Sequence, residues 1–223
     1  MLDSLRLLRQ IEFIVEIDKL KQVLRQTFTT TKSRQENSAE HSWHIALMAI
    51  LLLEYSDSDK IDVFRVVKML LVHDLVEIDA GDTFCYDNDA RKSQHERELQ
   101  AAERIFNIAP KDQAKTLMTL WKEFEACKTP DSRFANAIDR LQPLLINYYS
   151  NGKAWIKHNI KRHQVLERNC IIEEEAPKLW DYVKELIDDA VQQGFLKKEN
   201  FSRCATIHLR NYLCATSDVC LKS

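Results

Sequence analysis

The sequence has little glycine and proline, with three glycines and four prolines among 223 residues. Both residues interrupt regular helices, so their scarcity, with 30% charged residues, favours helix over sheet. No segment alternates polar and apolar residues for long, and there are no internal repeats. We therefore predict an all-α fold, and the chain length suits one domain with an appendage.

Long apolar runs and an excess of positive charge are also missing. The longest apolar run, Ile45 to Leu53, is about half of the ~20 residues that a membrane-spanning helix requires. Lysine and arginine number 32 against 34 aspartates and glutamates, which gives no signature of polyanion binding. We expect neither a membrane nor a nucleic-acid polymer as a partner.

The cysteines form no C-x-x-C pair, although there are six of them: Cys85, Cys127, Cys170, Cys204, Cys214 and Cys220. Four of the first twelve residues are charged, where a secretion signal would be apolar. We therefore expect reduced thiols and a cytoplasmic location. Residues 196–223 hold three of the cysteines and lack a long apolar stripe, so we predict a domain over 1–195 and a C-terminal appendage over 196–223.

Apolar residues at helical spacing predict a succession of amphipathic helices. The first spans roughly 3–26 and is followed by a polar loop over 27–36. Asn37 and Glu40 have the N-x-x-E spacing of a capping box, which predicts a second helix through Leu53. A third helix follows Asp59, and later ones are predicted at 89–107, from 110, and at 131–149, 162–176 and 178–193.

The third predicted helix ends in polar residues. The apolar run that begins at Leu70 is followed by His73 and Asp74 on the last turn. His41 and Asp139 are similarly isolated on the apolar faces of two other helices. Burying such groups without a partner costs a few kcal/mol, and one cation could satisfy several of them. Two imidazoles and two carboxylates suit a divalent transition metal better than calcium or magnesium. A lone histidine at the end of an apolar helix is more often a hydrogen-bonded core residue, so the prediction depends on the residues taken together.

Together these residues resemble the HD-domain metal-dependent phosphohydrolases, and most closely the branch that contains the bacterial 5'-deoxynucleotidases. The resemblance rests on three segments: R-Q-E-N-S-A-E-H-S-W-H (34–44), H-D-L-V-E-I-D-A-G-D (73–82) and A-N-A-I-D-R-L-Q-P-L (135–144). It extends to V-L-E-R-N (165–169) and covers about residues 1–195. It implies a single helical bundle with a divalent metal site between helices.

The resemblance also implies a role for individual residues. The metal ligands would be His41, His73, Asp74 and Asp139, holding one divalent transition ion: Mn, Co, Fe, Ni or Zn. Glu77 would orient or deprotonate the attacking water, and Asp82 would protonate the departing oxygen. Arg34 and Arg25 would bind the substrate phosphate.

The implied function is removal of phosphate from (deoxy)nucleoside 5'-monophosphates. A nucleotide-binding HD module that regulates a partner without turnover is the alternative. One departure from the family is that an Arg-Trp pair before the first ligand is replaced here by Arg25-Gln26, so we expect weak discrimination at the 2' position. The family tends to dimerise, and the first helix has apolar residues on more than one face, so we predict a homodimer.

The remaining aromatic and histidine residues are given structural roles. Since the family supplies only two histidine ligands, we expect His44 to pack beside the site rather than to bind metal. The predicted core tryptophans are Trp43, Trp121 and Trp180. The predicted solvated histidines, which lie in charged surroundings, are His95, His158 and His163.

Overall fold

Twelve α-helices gather around one apolar core in the computed structural model, which describes residues 2–198. The first six are α1 (Leu2–Ile17), α2 (Ser38–Leu52), α3 (Val63–Val72), α4 (Glu77–Ala80), α5 (Asn88–Arg91) and α6 (Gln94–Phe106). The other six are α7 (Lys111–Ala126), α8 (Pro130–Tyr149), α9 (Lys153–Lys157), α10 (Arg162–Asn169), α11 (Ile171–Glu175) and α12 (Pro177–Gln192). Short 3-10 turns occupy Asp18–Gln22, Leu53–Tyr55 and His73–Val76. The predicted helical bundle is confirmed, with one small sheet added.

That sheet corrects the prediction for the segment after α1. Strand β1 (Leu24–Phe28) pairs antiparallel with β2 (Gln35–Asn37), with Leu24 opposite Asn37 and Phe28 opposite Gln35. A helix to residue 26 and a loop over 27–36 were therefore wrong. The strands are five and three residues long and mostly polar, so hydrophobic alternation, the usual signal of a strand, is absent from them.

The start of α2 follows the predicted capping box, which fixes the position of His41. The Asn37 side chain accepts a hydrogen bond from the Glu40 amide at 2.9 Å, and the Glu40 carboxylate accepts one from the Asn37 amide at 3.2 Å. Two of the amides that a helix start leaves unpaired are satisfied in this way. His41 consequently lies on the first turn of α2 and is completely buried.

Helix α8 crosses the middle of the bundle and continues through Pro143. Proline has no amide hydrogen, so the Asp139 carbonyl lacks its usual partner in the helix. The helix nevertheless runs unbroken from Pro130 to Tyr149. Asp139 is thereby held on the core side of a long, well-packed element.

Tryptophan burial only partly follows the prediction. Trp121 and Trp180 are buried, but Trp43 is 64% exposed, so its assignment to the core was wrong. Its position on α2 faces outward, on a surface where further large apolar side chains are exposed. We call this set the α1–α3 apolar surface: Leu5, Leu7, Leu8, Ile11, Ile14, Val15, Trp43, Leu47, Ile50, Leu51, Phe64 and Leu71.

The last described residues pack against the bundle. Leu196 is buried, and Lys197 forms an isolated parallel bridge with Lys161. The boundary at residue 195 stays a prediction. The spacing of Cys204, His208, Cys214 and Cys220 matches no common zinc pattern, and these four residues lie outside the described residues. Within the described range, no helix is both long and apolar enough to cross a membrane.

Candidate metal centre

Three predicted ligands meet in the interior of the bundle. His41 of α2, His73 at the end of α3 and Asp139 of α8 each offer one ligand atom, and these three atoms lie within 4.8 Å of one another. Asp139 Oδ1 is 3.0 Å from His41 Nε2 and 3.6 Å from His73 Nε2. Three separate helical elements thus direct their polar atoms towards one point.

Asp74 joins this cluster through both of its carboxylate oxygens. Oδ1 lies 2.9 Å from His73 Nε2, and Oδ2 lies 3.9 Å from His41 Nε2. Oδ2 also accepts a hydrogen bond of 2.9 Å from Arg25 Nη1. The structure therefore brings all four sequence-predicted ligands together, with Asp74 shared between the cluster and Arg25.

Hydrogen bonds on the far side of each ring define which imidazole nitrogen faces the cluster. His73 Nδ1 lies 2.9 Å from the Leu70 carbonyl, to which it must donate. His41 Nδ1 lies 3.1 Å from Gln142 Oε1, and Gln142 Nε2 donates to Glu36 Oε1 at 2.6 Å. A carboxylate only accepts, so this contact assigns the amide oxygen to the His41 side. Neutral His41 and His73 both present the Nε2 lone pair to the cluster.

This arrangement fits a metal ion. Lone pairs from two imidazoles face carboxylate oxygens, so the cluster needs a positive charge at its centre. His73 Nε2 is buried without a geometrically acceptable hydrogen bond, although Asp74 Oδ1 lies 2.9 Å away. Neutral imidazole nitrogens with carboxylate oxygens form a donor set that divalent transition metals accept.

The negative charge of the carboxylates in the cluster shifts the pKa values of the neighbouring side chains. Burial opposes protonation of His73, yet the carboxylates of Asp74 and Asp139 raise its pKa well above the usual value. Burial likewise opposes ionisation of Asp139, but its contacts with His41 and His73 hold its pKa well below the usual value. A bound cation would take the place of the proton that the carboxylates attract.

Two further acids line the cavity beside the cluster. Glu77 opens α4 and is buried, with Ser38 Oγ donating to its Oε2 at 2.5 Å. Burial and the charge of Asp74 raise the pKa of Glu77 well above its usual value. Asp82 follows Gly81, whose φ of +73° turns the chain at the end of α4. Burial also raises the pKa of Asp82, although the Arg25 charge opposes that shift.

The two predicted phosphate-binding arginines occupy different places. Arg25 of β1 is part of the site, where its guanidinium reaches Asp74 at 2.9 Å and Asp82 at 3.9 Å. Arg34 is not brought to the site, because it is exposed and pairs with Glu40 at 2.6 and 2.8 Å. Glu40 also caps α2, which holds that ion pair at the surface. Seven of the eight sequence-predicted site residues therefore converge, and Arg34 stays outside.

A cavity of about 650 Å³ opens beside the cluster, and His73, Asp74, Glu77, Asp82 and Asp139 line it. Part of its lining that sequence analysis missed comes from α8 and α10: Arg140, Asn147, Arg168 and Asn169. Burial and the neighbouring charge of Arg168 lower the pKa of Arg140. Arg140, Arg168 and Asn169 lie within segments that carry the family resemblance, but the resemblance assigned no role to them.

Supporting residues around the cluster were also missed, namely Glu36, Ser38 and Gln142. Gln142 could have been found as an uncharged polar residue three positions after Asp139 on the same buried helix face. His44 packs beside the site as expected, since Gln142 Nε2 donates to His44 Nδ1 at 3.2 Å. His158 is half-buried and packs against Phe84 at 4.4 Å between ring centroids, so its prediction as solvated was wrong.

His163 is half-buried as well, which also corrects its prediction as solvated, whereas His95 is exposed at the cavity rim. The charged neighbours of His158 and His163 in sequence suggested exposure. In the fold, both residues line a groove near the mouth of the cavity, shared with Phe84 and Tyr86.

Comparison with known proteins places the chain in a family. The family model for the HD domain matches residues 17–180, and the chain belongs to the HD-domain family. It is 29% identical to 5'-deoxynucleotidase HDDC2 of Homo sapiens over 136 residues, which cover 60% of this chain and 65% of the human protein. The match thus spans slightly less than two thirds of the human protein.

Two further relatives agree with this assignment. The 5'-deoxynucleotidase HDDC2 of Dictyostelium discoideum is 29% identical over 131 residues, or 56% of this chain and 69% of that protein. A crystal structure of a predicted metal-dependent phosphohydrolase from Magnetospirillum magnetotacticum MS-1 is 51% identical to this chain and superposes with a TM-score of 0.82. That superposition covers 86% of this chain and 95% of the other.

Proposed function

We propose that this protein is a metal-dependent phosphohydrolase acting as a 5'-nucleotidase, which removes phosphate from (deoxy)nucleoside 5'-monophosphates. The observation that carries this proposal is the convergence of His41 Nε2, His73 Nε2 and Asp139 Oδ1 beside the buried acid Glu77. The names of the relatives support a deoxynucleotidase. The cavity of about 650 Å³ is of the size that small-molecule sites usually have.

His41, His73, Asp74 and Asp139 would hold the one divalent ion. When bound, such an ion supplies Lewis-acid activation of a water molecule and of a phosphoryl oxygen. The donor set agrees with Mn, Co, Fe, Ni or Zn, and relative affinity and availability decide among them.

The protein's own acids would move the protons. Glu77 would take the proton of the attacking water, since its raised pKa makes it a stronger base than an exposed glutamate. The hydrogen bond from Ser38 Oγ fixes one oxygen of Glu77 and leaves the other for the water. Asp82, whose pKa is also raised, would return a proton to the departing oxygen. Arg25 positions Asp74 and Asp82 by pairing with both.

Phosphate release from a panel of substrates tests this function. The metal-loaded protein should hydrolyse nucleoside and deoxynucleoside 5'-monophosphates, with little activity on di- and triphosphates, and a chelator should stop turnover. The same panel run with each candidate metal would identify the ion that supports turnover best. Nucleotide binding without turnover under any of these metals would instead support the regulatory-module alternative.

We predict weak discrimination between ribose and deoxyribose because of Gln26. This residue lines the cavity, and its side-chain oxygen accepts hydrogen bonds of 3.2 Å from Lys157 Nζ and from His158 Nε2. No large ring occupies the position to exclude a 2' hydroxyl. We expect kcat/KM values for paired deoxy- and ribonucleotides to differ by less than about tenfold, or ~1.4 kcal/mol. A deoxy preference of about 100-fold, ~2.7 kcal/mol, would show that another residue senses the sugar.

We also propose a homodimer formed through the α1–α3 apolar surface. Large apolar side chains exposed in this number often mark interaction sites. Ile50→Glu should shift the protein from dimer to monomer in light scattering, while its helical content stays unchanged. Ile156→Glu is the matched control, because Ile156 is equally exposed but lies on α9. A wild-type protein of 26.1 kDa at all micromolar concentrations would contradict the dimer.

A further inference from the structure

Two half-buried arginines line the cavity without an acidic partner. Arg140 follows Asp139 on α8 and Arg168 comes from α10, and Arg140 Nη1 donates to the Arg168 carbonyl at 3.2 Å. Among the residues that the structure describes, no carboxylate forms an ion pair with either guanidinium. Seven other arginines have such a partner: Arg6, Arg25, Arg34, Arg65, Arg104, Arg133 and Arg162.

The placement of Arg140 beside Arg168 is electrostatically unfavourable. Placing two like charges near each other in a partly buried part of the cavity lining costs free energy, which the neighbouring charge of Asp139 offsets only in part. Arg140 Nε is buried and has no hydrogen-bond partner. Asn147 Oδ1 and Asn169 Oδ1, on the same cavity lining, are also buried acceptors without a partner. This part of the cavity is therefore polar, unsatisfied and positively charged.

The chemistry of these two guanidiniums determines which class of ligand they bind. A neutral group could accept hydrogen bonds from the two guanidiniums, but it would leave their mutual repulsion in place. An anion satisfies the donors and offsets the repulsion, and planar guanidiniums match the oxygen geometry of phosphate. The arginines first expected to bind phosphate are otherwise engaged, since Arg25 pairs with Asp74 and Asp82, and Arg34 pairs with Glu40.

We propose that Arg140 and Arg168 form the subsite that binds the substrate's phosphate group, in the cavity that the metal cluster also lines. The identity of the anion rests on the proposed 5'-nucleotidase function. Arg140 directly follows the ligand Asp139, so a phosphate held by the arginine pair lies in the same cavity as His73, Asp74 and Asp139.

Calorimetric titration of the metal-loaded protein with inorganic phosphate tests this subsite. Arg168→Gln and Arg140→Gln should each weaken phosphate binding about tenfold or more, as expected for losing a charge-assisted hydrogen bond. Arg168→Lys keeps the charge and should lose less, which also covers the case in which a glutamine variant does not fold. Arg162→Gln is the control, because Arg162 lies on the same helix but pairs with Asp188 at 2.8 Å. Metal content should be unchanged in all four.

The possible outcomes separate the subsite from the proposed function. Wild-type phosphate affinity in the folded glutamine variants would overturn the subsite and leave the phosphohydrolase proposal intact. Phosphate binding that depends on the two arginines, in a protein that turns over no phosphomonoester, would support the subsite and overturn the proposed function. If the variants instead lost affinity for a phosphate-free deoxynucleoside alone, the pair would bind base or sugar, and the phosphate assignment would be wrong.

Discussion

Asp139→Asn should remove bound metal and phosphate release together. Asp139 Oδ1 lies 3.0 Å from His41 Nε2 and 3.6 Å from His73 Nε2, and its carboxylate supplies negative charge at the centre of the cluster. Asparagine keeps the size of the side chain but removes that charge. Because loss of even a hydrogen-bonding partner of a metal ligand typically costs 10–100-fold in affinity, we expect a loss of about 100-fold or more for a ligand itself.

Elemental analysis measures this result directly. The wild-type protein should carry one divalent transition ion per chain, and the Asp139→Asn protein close to none. Asp188→Asn is the matched control, since Asp188 is a surface acid paired with Arg162 and should keep full metal content and turnover. Full activity of the wild-type protein in chelator, with no metal found by elemental analysis, would contradict the proposed mechanism.

Glu77→Gln should have the second largest effect, and it should separate chemistry from metal binding. Glutamine preserves the shape of the side chain and can keep the contact with Ser38, but it cannot accept a proton from water. We expect kcat to fall about 100-fold or more, which is the usual range for losing a general base, with unchanged metal content. An unchanged kcat would move the role of base to Asp82.

A second acid on the cavity lining provides the control for Glu77. Glu125 also lines the cavity, and burial with the charge of Glu98 raises its pKa to about 7. At neutral pH it is already partly protonated, so glutamine resembles its natural state. Glu125→Gln should therefore leave kcat within about threefold of wild type, which excludes a general effect of removing a cavity acid.

The cluster of candidate metal ligands could be predicted from sequence because isolated polar residues on apolar helices stand out against their surroundings. His41, His73 and Asp139 each interrupt a buried face, and burial of such groups needs a partner. The order in which they occur also agreed with a known family. Buried polar residues can therefore be recognised in a sequence as interruptions of the apolar positions that recur at helical spacing.

The remaining features depended on contacts between distant segments. The β1–β2 hairpin has too few apolar residues to alternate, and its stability comes from pairing and from Arg25 reaching Asp74. Trp43 looks like a core residue by type, although its helix position faces outward. Arginines in amphipathic helices normally face solvent, so sequence alone did not distinguish Arg140 and Arg168 from surface residues.

The metal centre also has a consequence for how the chain folds. His41 and Asp139 are 98 residues apart in sequence, and Gln142 reaches back 106 residues to Glu36. These contacts form only after long loops have closed, and loop closure costs conformational entropy. The centre therefore forms only when α2, α3 and α8 have docked. The unfolded chain holds no preformed site, and metal affinity therefore adds to the free energy of unfolding. The ion would bind at the end of folding and would hold the docked helices together.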